Sequence, residues 1–225
     1  DGSFGLALGA YDLRHPLTID PLVHAYSTYL GGQKMEDSVN IAVDGKGAMY
    51  VRGLTYSGDF PPEMGTQPRQ DAFVTKLSPD GADLVYTAFF PAGKYFSLTR
   101  GLFVDSNGFV YVAGQTNSSK FPLKNPFQAS FGGITDGFVL KLSKDGQSLL
   151  FSSYIGGNKD DVCASVYADA TGAIYIGGAT RSYDFPTKRA FRSKHGGYVD
   201  AFAAKVAPEG SSLVYSTYLG GSHSD

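Results

Sequence analysis

Two pairs of adjacent carboxylates, Glu36/Asp37 and Asp160/Asp161, come nearest to a metal site in this sequence. Carboxylate oxygens suit a hard cation such as Ca2+, but two are too few unless backbone carbonyls complete the shell. Both pairs therefore read as polar turns, with Ca2+ as the weak alternative and no other cofactor expected. The histidines His15, His24, His195 and His223 lack the spacing of a zinc motif and read as solvated or internally satisfied loop residues. Cys163 is the single cysteine, so an intrachain disulfide and a thiolate metal site are both excluded. Its small apolar neighbours mark a buried thiol rather than a nucleophile. Asp71, Asp136 and Asp200 are each followed five residues later by Lys76, Lys141 and Lys205. On a strand that odd offset places acid and base on opposite faces, so they are not a local pair, and each could reach across to an adjacent strand or blade. Catalysis needs one asymmetric constellation, whereas these pairs recur, so they read as a scaffold network and no catalytic residue is assigned.

Residues suited to binding are more localised. The segment RSYDFPTKRAFRSKHGGY carries Arg181, Lys188, Arg189, Arg192 and Lys194, interleaved with Tyr183, Phe191 and Tyr198. Such a patch could meet an anionic polymer, a phosphate or an acidic partner. Arg52 stands where comparable segments have Ala113 and Gly177, and it reads as lining a channel or pairing between sheets. Tyr95 and Phe96, beside Lys94, replace a Gly-rich acidic turn found elsewhere in the chain. These eight residues, Arg181 to Lys194 together with Tyr95, Phe96 and Arg52, are the partner-binding candidates. A net charge of −2 gives no overall attraction to nucleic acid, and no apolar run is long enough for a transmembrane segment.

The elements that must position these residues follow from a repeat. YSTYLGG occurs at Tyr26–Gly32 and again at Tyr215–Gly221, with variants starting at Tyr86 and Phe151. The four starts are 60, 65 and 64 residues apart. IAVDGKGAMYVRG, LFVDSNGFVYVAG and VYADATGAIYIGG repeat in register, as do GDFP, SKFP and YDFP, and then DAFVTKL, DGFVLKL and DAFAAKV. Each unit predicts four short strands. An Asp-x-x-Gly turn joins the first two, a long loop follows, and an SPDG-like turn joins the last two. The second strand is apolar on consecutive residues, as in Val110–Tyr111–Val112, which implies burial from both sides. The fold class is therefore all-β: a β-propeller of four-stranded antiparallel blades, with three full blades over about 33–90, 94–155 and 158–219 and one extra outer strand. The Phe residues of the DFP elements read as plugs. Gly53, Gly114 and Gly178 share one repeat position, where small residues would permit crowding toward a central axis. Residues 1–21 form an extended segment before the repeats at 22–225.

These motifs resemble the bacterial SBBP repeat, a beta-propeller repeat family. The resemblance implies a secreted or cell-surface (or periplasmic) bacterial protein, and long loops held on one face of a rigid frame read as a non-catalytic scaffold presenting them to a protein or glycan partner. A structural subunit of a cell-envelope assembly, or a polysaccharide hydrolase or lyase, are the alternative readings. Three blades fall short of the four to eight that close a ring. An uncovered terminal blade would leave several hundred Å² of apolar surface in water. Further blades are therefore expected from the same parent chain, another copy or a partner subunit.

Overall fold

A computed structural model describes residues 27–61, 71–91 and 97–223. Among them the regular elements are twelve β-strands and no helix. Blade 1 comprises β1 (Glu36–Val43), β2 (Met49–Thr55), β3 (Asp71–Leu77) and β4 (Leu84–Pro91). Blade 2 comprises β5 (Ser97–Val104), β6 (Val110–Thr116), β7 (Asp136–Leu142) and β8 (Leu149–Ile155). Blade 3 comprises β9 (Asp161–Ala168), β10 (Ile174–Thr180), β11 (Asp200–Val206) and β12 (Leu213–Leu219). Each is an antiparallel sheet with its strands in chain order. The twelve strands predicted for the three full blades are present, while residues 1–21 lie outside the described residues.

The first hairpin of every blade is closed by one aspartate. Asp44 Oδ1 accepts the Lys46 and Ala48 N–H groups at 2.9 and 3.0 Å, and its Oδ2 accepts the Tyr50 hydroxyl at 3.2 Å. Asp105 holds Asn107, Phe109 and Tyr111 in the same way, and Asp169 holds Thr171, Ala173 and Tyr175. The glycine three residues after each aspartate has φ of +84° to +85°, which a side chain would resist. The repeated lysine completes the unit. Lys76 lies 3.6 Å from Asp44 and over the Tyr50 ring, and Lys205 lies 3.7 Å from Asp169 and over Tyr175. Burial lowers the Lys141 pKa, and Lys141 sits over Phe109 and Tyr111. The lysine of strand three thus acts with the first hairpin, whereas the acids Asp136 and Asp200 bond the loop that precedes their own strand.

The sheets stack face to face. Tyr50, Leu54, Val74 and Phe90 of blade 1 pack against Val110, Val112, Phe138 and Leu140 of blade 2. The alternate residues of blade 2, Tyr111, Ala113, Val139 and Ile155, pack against Ile174, Ile176, Phe202 and Ala204 of blade 3. Strand β6 is therefore buried on both faces, as its continuous apolar run predicted. β11 instead alternates buried and half-buried residues, because one face of blade 3 has no sheet against it among the described residues.

One expectation is corrected, and the glycines at the shared repeat position gain a cause within their own blade. Each blade's first strand has a bulge opposite them, between Asp37 and Asn40, Thr99 and Gly101, or Cys163 and Ser165. A Cβ on Gly178 would stand 1.8 Å from the Val162 carbonyl oxygen, and one on Gly53 would be 3.0 Å from that of Asp37. The glycines make room for the bulged backbone. The leading heptapeptide was expected to be an outer strand, yet residues 27–32 form none. A strand requires a hydrogen-bonding neighbour. Leu30 instead packs as a cap on Val51, Phe60 and Phe73 of blade 1.

Candidate functional site

The long loop between strands two and three is tied down at its start by an aromatic plug. Phe60, Phe121 and Phe185 are buried, with ring centroids 4.3, 4.6 and 4.5 Å from Phe73, Phe138 and Phe202. In blades 2 and 3 an outer-strand tyrosine clamps the same turn. The Tyr154 hydroxyl donates to Ser118 O at 2.7 Å and accepts Phe121 N–H at 3.2 Å. Tyr218 does the same with Ser182 O and Phe185 N–H at 2.7 and 3.1 Å. The loop then runs back along the outer strand of its own blade. Lys188 and Ser216 exchange backbone hydrogen bonds at 3.0 and 2.8 Å, and the Arg192 carbonyl accepts from Tyr218 N–H at 3.1 Å.

Buried carboxylates close the loop ends. Asp136 accepts the Gly132 and Gly133 N–H groups at 2.9 and 3.0 Å, and Asp200 accepts those of Gly196 and Gly197 at 2.7 and 3.2 Å. Asp161 Oδ2 accepts Gly157 N–H at 2.8 Å and the Ser182 hydroxyl at 2.7 Å. Glu36 takes the equivalent place in blade 1, accepting from Gly32, Thr55 and Ser57. In blade 2 the register position of Glu36 and Asp161 is held by Ser97, opposite Thr116. The partner position of Asp59 and Asp184, which bind the Gln33 and Asn158 N–H groups, is there Lys120. Both acids of that network are absent from the middle blade together. Burial pushes the Asp136 carboxyl up to about 6, against the Gly132 and Gly133 hydrogen bonds that lower it, with Asp161 and Asp184 raising it further. Burial likewise raises Asp161.

These positions decide what the acidic turns can do. Asp161 faces N–H and O–H donors, while Asp160 turns to Thr135 and to Arg181, 3.3 Å away. Neighbouring residues on a strand point to opposite faces, so the two carboxylates do not converge on one cation. Glu36 and Asp37 stand at successive positions of β1 in the same relation. Among the described residues no group of three or more His, Cys, Asp or Glu side chains is placed to hold a metal. Cys163 is fully buried, and burial first, then Asp161, raises its thiol pKa, which disfavours the thiolate. His195 packs edge-on against Tyr183 and Tyr218 at 4.7 and 5.5 Å, with Nε2 3.2 Å from Thr180 O.

The candidate surface is the loop side of blade 3. Arg181 pairs with Asp160 and lies 5.0 Å over the Tyr198 ring, while Lys159 lies 4.3 Å over Tyr183. Gln115, Thr135, Asp160, Thr180 and Arg181 line a recess of about 330 Å³ at the junction with blade 2. Tyr183, Tyr198 and Phe191 are 63, 68 and 91 % exposed, so aromatic faces and edges are presented to solvent beside the cations. Lys188, Arg189, Arg192 and Lys194 follow as an exposed basic ridge beside β12. Arg189 holds φ of +44°, and Asn125 holds +47° at the matching turn of blade 2.

Arg52 is elsewhere. It is 7 % exposed at the junction of blades 1 and 2, and its Nη2 donates to Arg100 O at 2.5 Å. Burial, then the nearby Arg100 charge, lowers its pKa to about 10. It serves an interblade bond and is withdrawn from any partner surface. Tyr95 and Phe96 lie outside the described residues. Sequence reasoning missed Lys159 as a member of the surface, and missed the loop-closing role of Glu36, Asp136, Asp161 and Asp200. The signal for the latter was a Gly-Gly pair with an acid four residues after one of the glycines, repeated along the chain.

No curated protein matches the chain. The family model described as the beta-propeller repeat, SBBP, matches residues 99–122, from within β5 to the turn after the Phe121 plug. The same strand, turn and plug residues recur in blades 1 and 3. Residues 99–122 thus match the SBBP beta-propeller repeat, within a chain whose described residues form three stacked four-stranded antiparallel sheets.

Proposed function

We propose that this protein is a non-catalytic, secreted or cell-surface bacterial scaffold whose blade 3 loop surface binds an acidic glycan or an acidic protein partner. The observation that carries the reading is the pairing of exposed aromatics with cations. Tyr183 and Tyr198 each have a cation over the ring, and Phe191 lies within the basic ridge. Rings stacked with cations present flat apolar surface and positive charge together, a combination suited to sugar faces bearing carboxylates or sulfates. The rigid frame supports it, since the plug and the Tyr218 clamp hold the loop at its start and Asp200 holds its end, without occupying its exposed side chains.

Binding to an array of acidic glycans, and pull-down of acidic proteins, tests this directly. The Arg189→Ala/Arg192→Ala variant should lose about tenfold or more in affinity, since each removed cation near an anionic ligand is worth about a kcal/mol. Tyr183→Ala should weaken binding with unchanged thermal stability. Equal binding by all variants, or turnover of the polysaccharide probe, overturns the reading.

A further inference from the structure

Among the described residues, blade 3 and blade 1 each turn one face outward, and these faces repeat the two halves of an interface that the chain forms twice. On blade 2 the residues turned toward blade 3 run Phe103, Tyr111, Lys141 and Phe151 across the four strands. They receive blade 3 through Val166, Ala168, Ile174 and Val206. Blade 3 repeats the same row as Tyr167, Tyr175, Lys205 and Tyr215, paired strand to strand in the same register. There it meets solvent: Tyr167 is 54 % exposed, and Tyr175, Lys205 and Tyr215 are half-buried. The other half lies on blade 1. Ile41 and Val43 of β1 match Val166 and Ala168 of β9, which are 9 and 4 % exposed against blade 2, yet Ile41 and Val43 are 56 and 58 % exposed. Leu30 already covers Val51, Phe60 and Phe73 on the outer part of that face. What remains bare on both faces is therefore the inner-strand row.

We propose that a second copy of this chain docks head to tail, with Tyr167 of blade 3 set against Ile41 and Val43 of the other copy's blade 1. The argument is continuity with the established interface. Phe103 packs on the cluster that holds Val166 and Ala168 of β9, with its ring also 4.5 Å from that of Tyr167, and Tyr167 would meet Ile41 and Val43 of β1 in the place that Phe103 takes on β9. Such a contact is heterologous: each copy offers two different faces, so copies add in one direction until a ring closes. The inference concerns the sheet faces and stands independently of the loop-surface reading.

The test is light scattering and sedimentation of the intact chain over a wide concentration range, with Tyr167→Asp and Ile41→Asp as variants. Both positions are more than half exposed, so folding should survive, and circular dichroism with thermal melts verifies it. Wild type should self-associate, and each variant should run as a monomer at concentrations where wild type does not. A mixture of the two variants retains one intact pair of faces and should restore a dimer but nothing larger. A wild type that is monomeric throughout overturns the proposal, as does association indifferent to either substitution or a mixture that remains monomeric.

Discussion

A carboxylate closed in by backbone N–H groups still carries a cost when it ionises away from water, and Asp136 shows the balance. It is fully buried, and its pKa of about 6 lies above the ordinary value of about 3.9 for aspartate in an unfolded chain. Between those values the folded state holds a proton that the unfolded state has released. Stability from this group is therefore present at low pH and falls as pH rises through roughly 4 to 6, by about 2–3 kcal/mol. Asp136→Asn should remove that slope while lowering stability at all pH values, since an amide cannot accept both glycine N–H groups. Urea titrations at several pH values compare the slopes, and an unchanged slope would count against the assignment. Asp169 works in the opposite sense. Its pKa is lowered to about 2, first by the Thr171 hydroxyl, so its contribution is lost only as the solution becomes strongly acidic.

Among the single-residue features, Gly178 is the most constrained by close approach. A methyl group there would collide with the Val162 carbonyl, whereas on neighbouring Gly177 it would meet the Ser165 hydroxyl at 3.3 Å and the Phe202 carbonyl oxygen at an ordinary 3.7 Å. Gly178→Ala should cost about 3 kcal/mol or more, and Gly177→Ala less than about 1 kcal/mol, in chemical denaturation. The bulge that makes Gly178 necessary could not be read from the sequence. The repeated glycine was plain, but its cause is a carbonyl on the neighbouring strand.

At the scale of the element, each blade is seated on the previous one through its second turn. Gly146 and Gly210 hold φ of +70° and +82°, and a Cβ would enter the Tyr86 ring at 2.3 Å or the Phe151 ring at 2.1 Å. Gly172 has a similar φ of +84° but only Pro208 within reach, at 3.5 Å. Gly210→Ala should therefore lose the left-handed turn and the docking together, about 2–4 kcal/mol in all. Gly172→Ala should lose about 1 kcal/mol from the backbone alone. A comparison of their melting temperatures separates blade docking from turn chemistry. The turns themselves were legible, because Asp and Gly at fixed offsets admit few backbone shapes. Their partner rings were not, since the aromatic that receives each glycine belongs to the preceding blade.

At the scale of the whole molecule, the stack of described residues has two interiors and two outward faces, and β7 and β11 show the difference. DGFVLKL is buried almost throughout between two sheets, while DAFAAKV alternates, with Ala201, Ala203 and Lys205 turned to the open side. No helix among the described residues is long and apolar enough to cross a membrane. The binding experiment on Arg189 and Arg192 and the association experiment on Tyr167 and Ile41 probe different sides of blade 3. Either can fail without the other.

The order of strands, the blade boundaries, the Asp-x-x-Gly hairpins and the Phe plugs were determined by the sequence alone, because each rests on local backbone preference and on apolar periodicity repeated three times. Only the tertiary structure decided that Arg52 is an interblade donor and that the adjacent acids at 160 and 161 part to different partners. It also decided that residues 27–32 join no sheet, with Leu30 capping one instead. Those outcomes depend on which groups meet across blades distant in sequence, and pairing and burial across such distances are not written in any one stretch of residues.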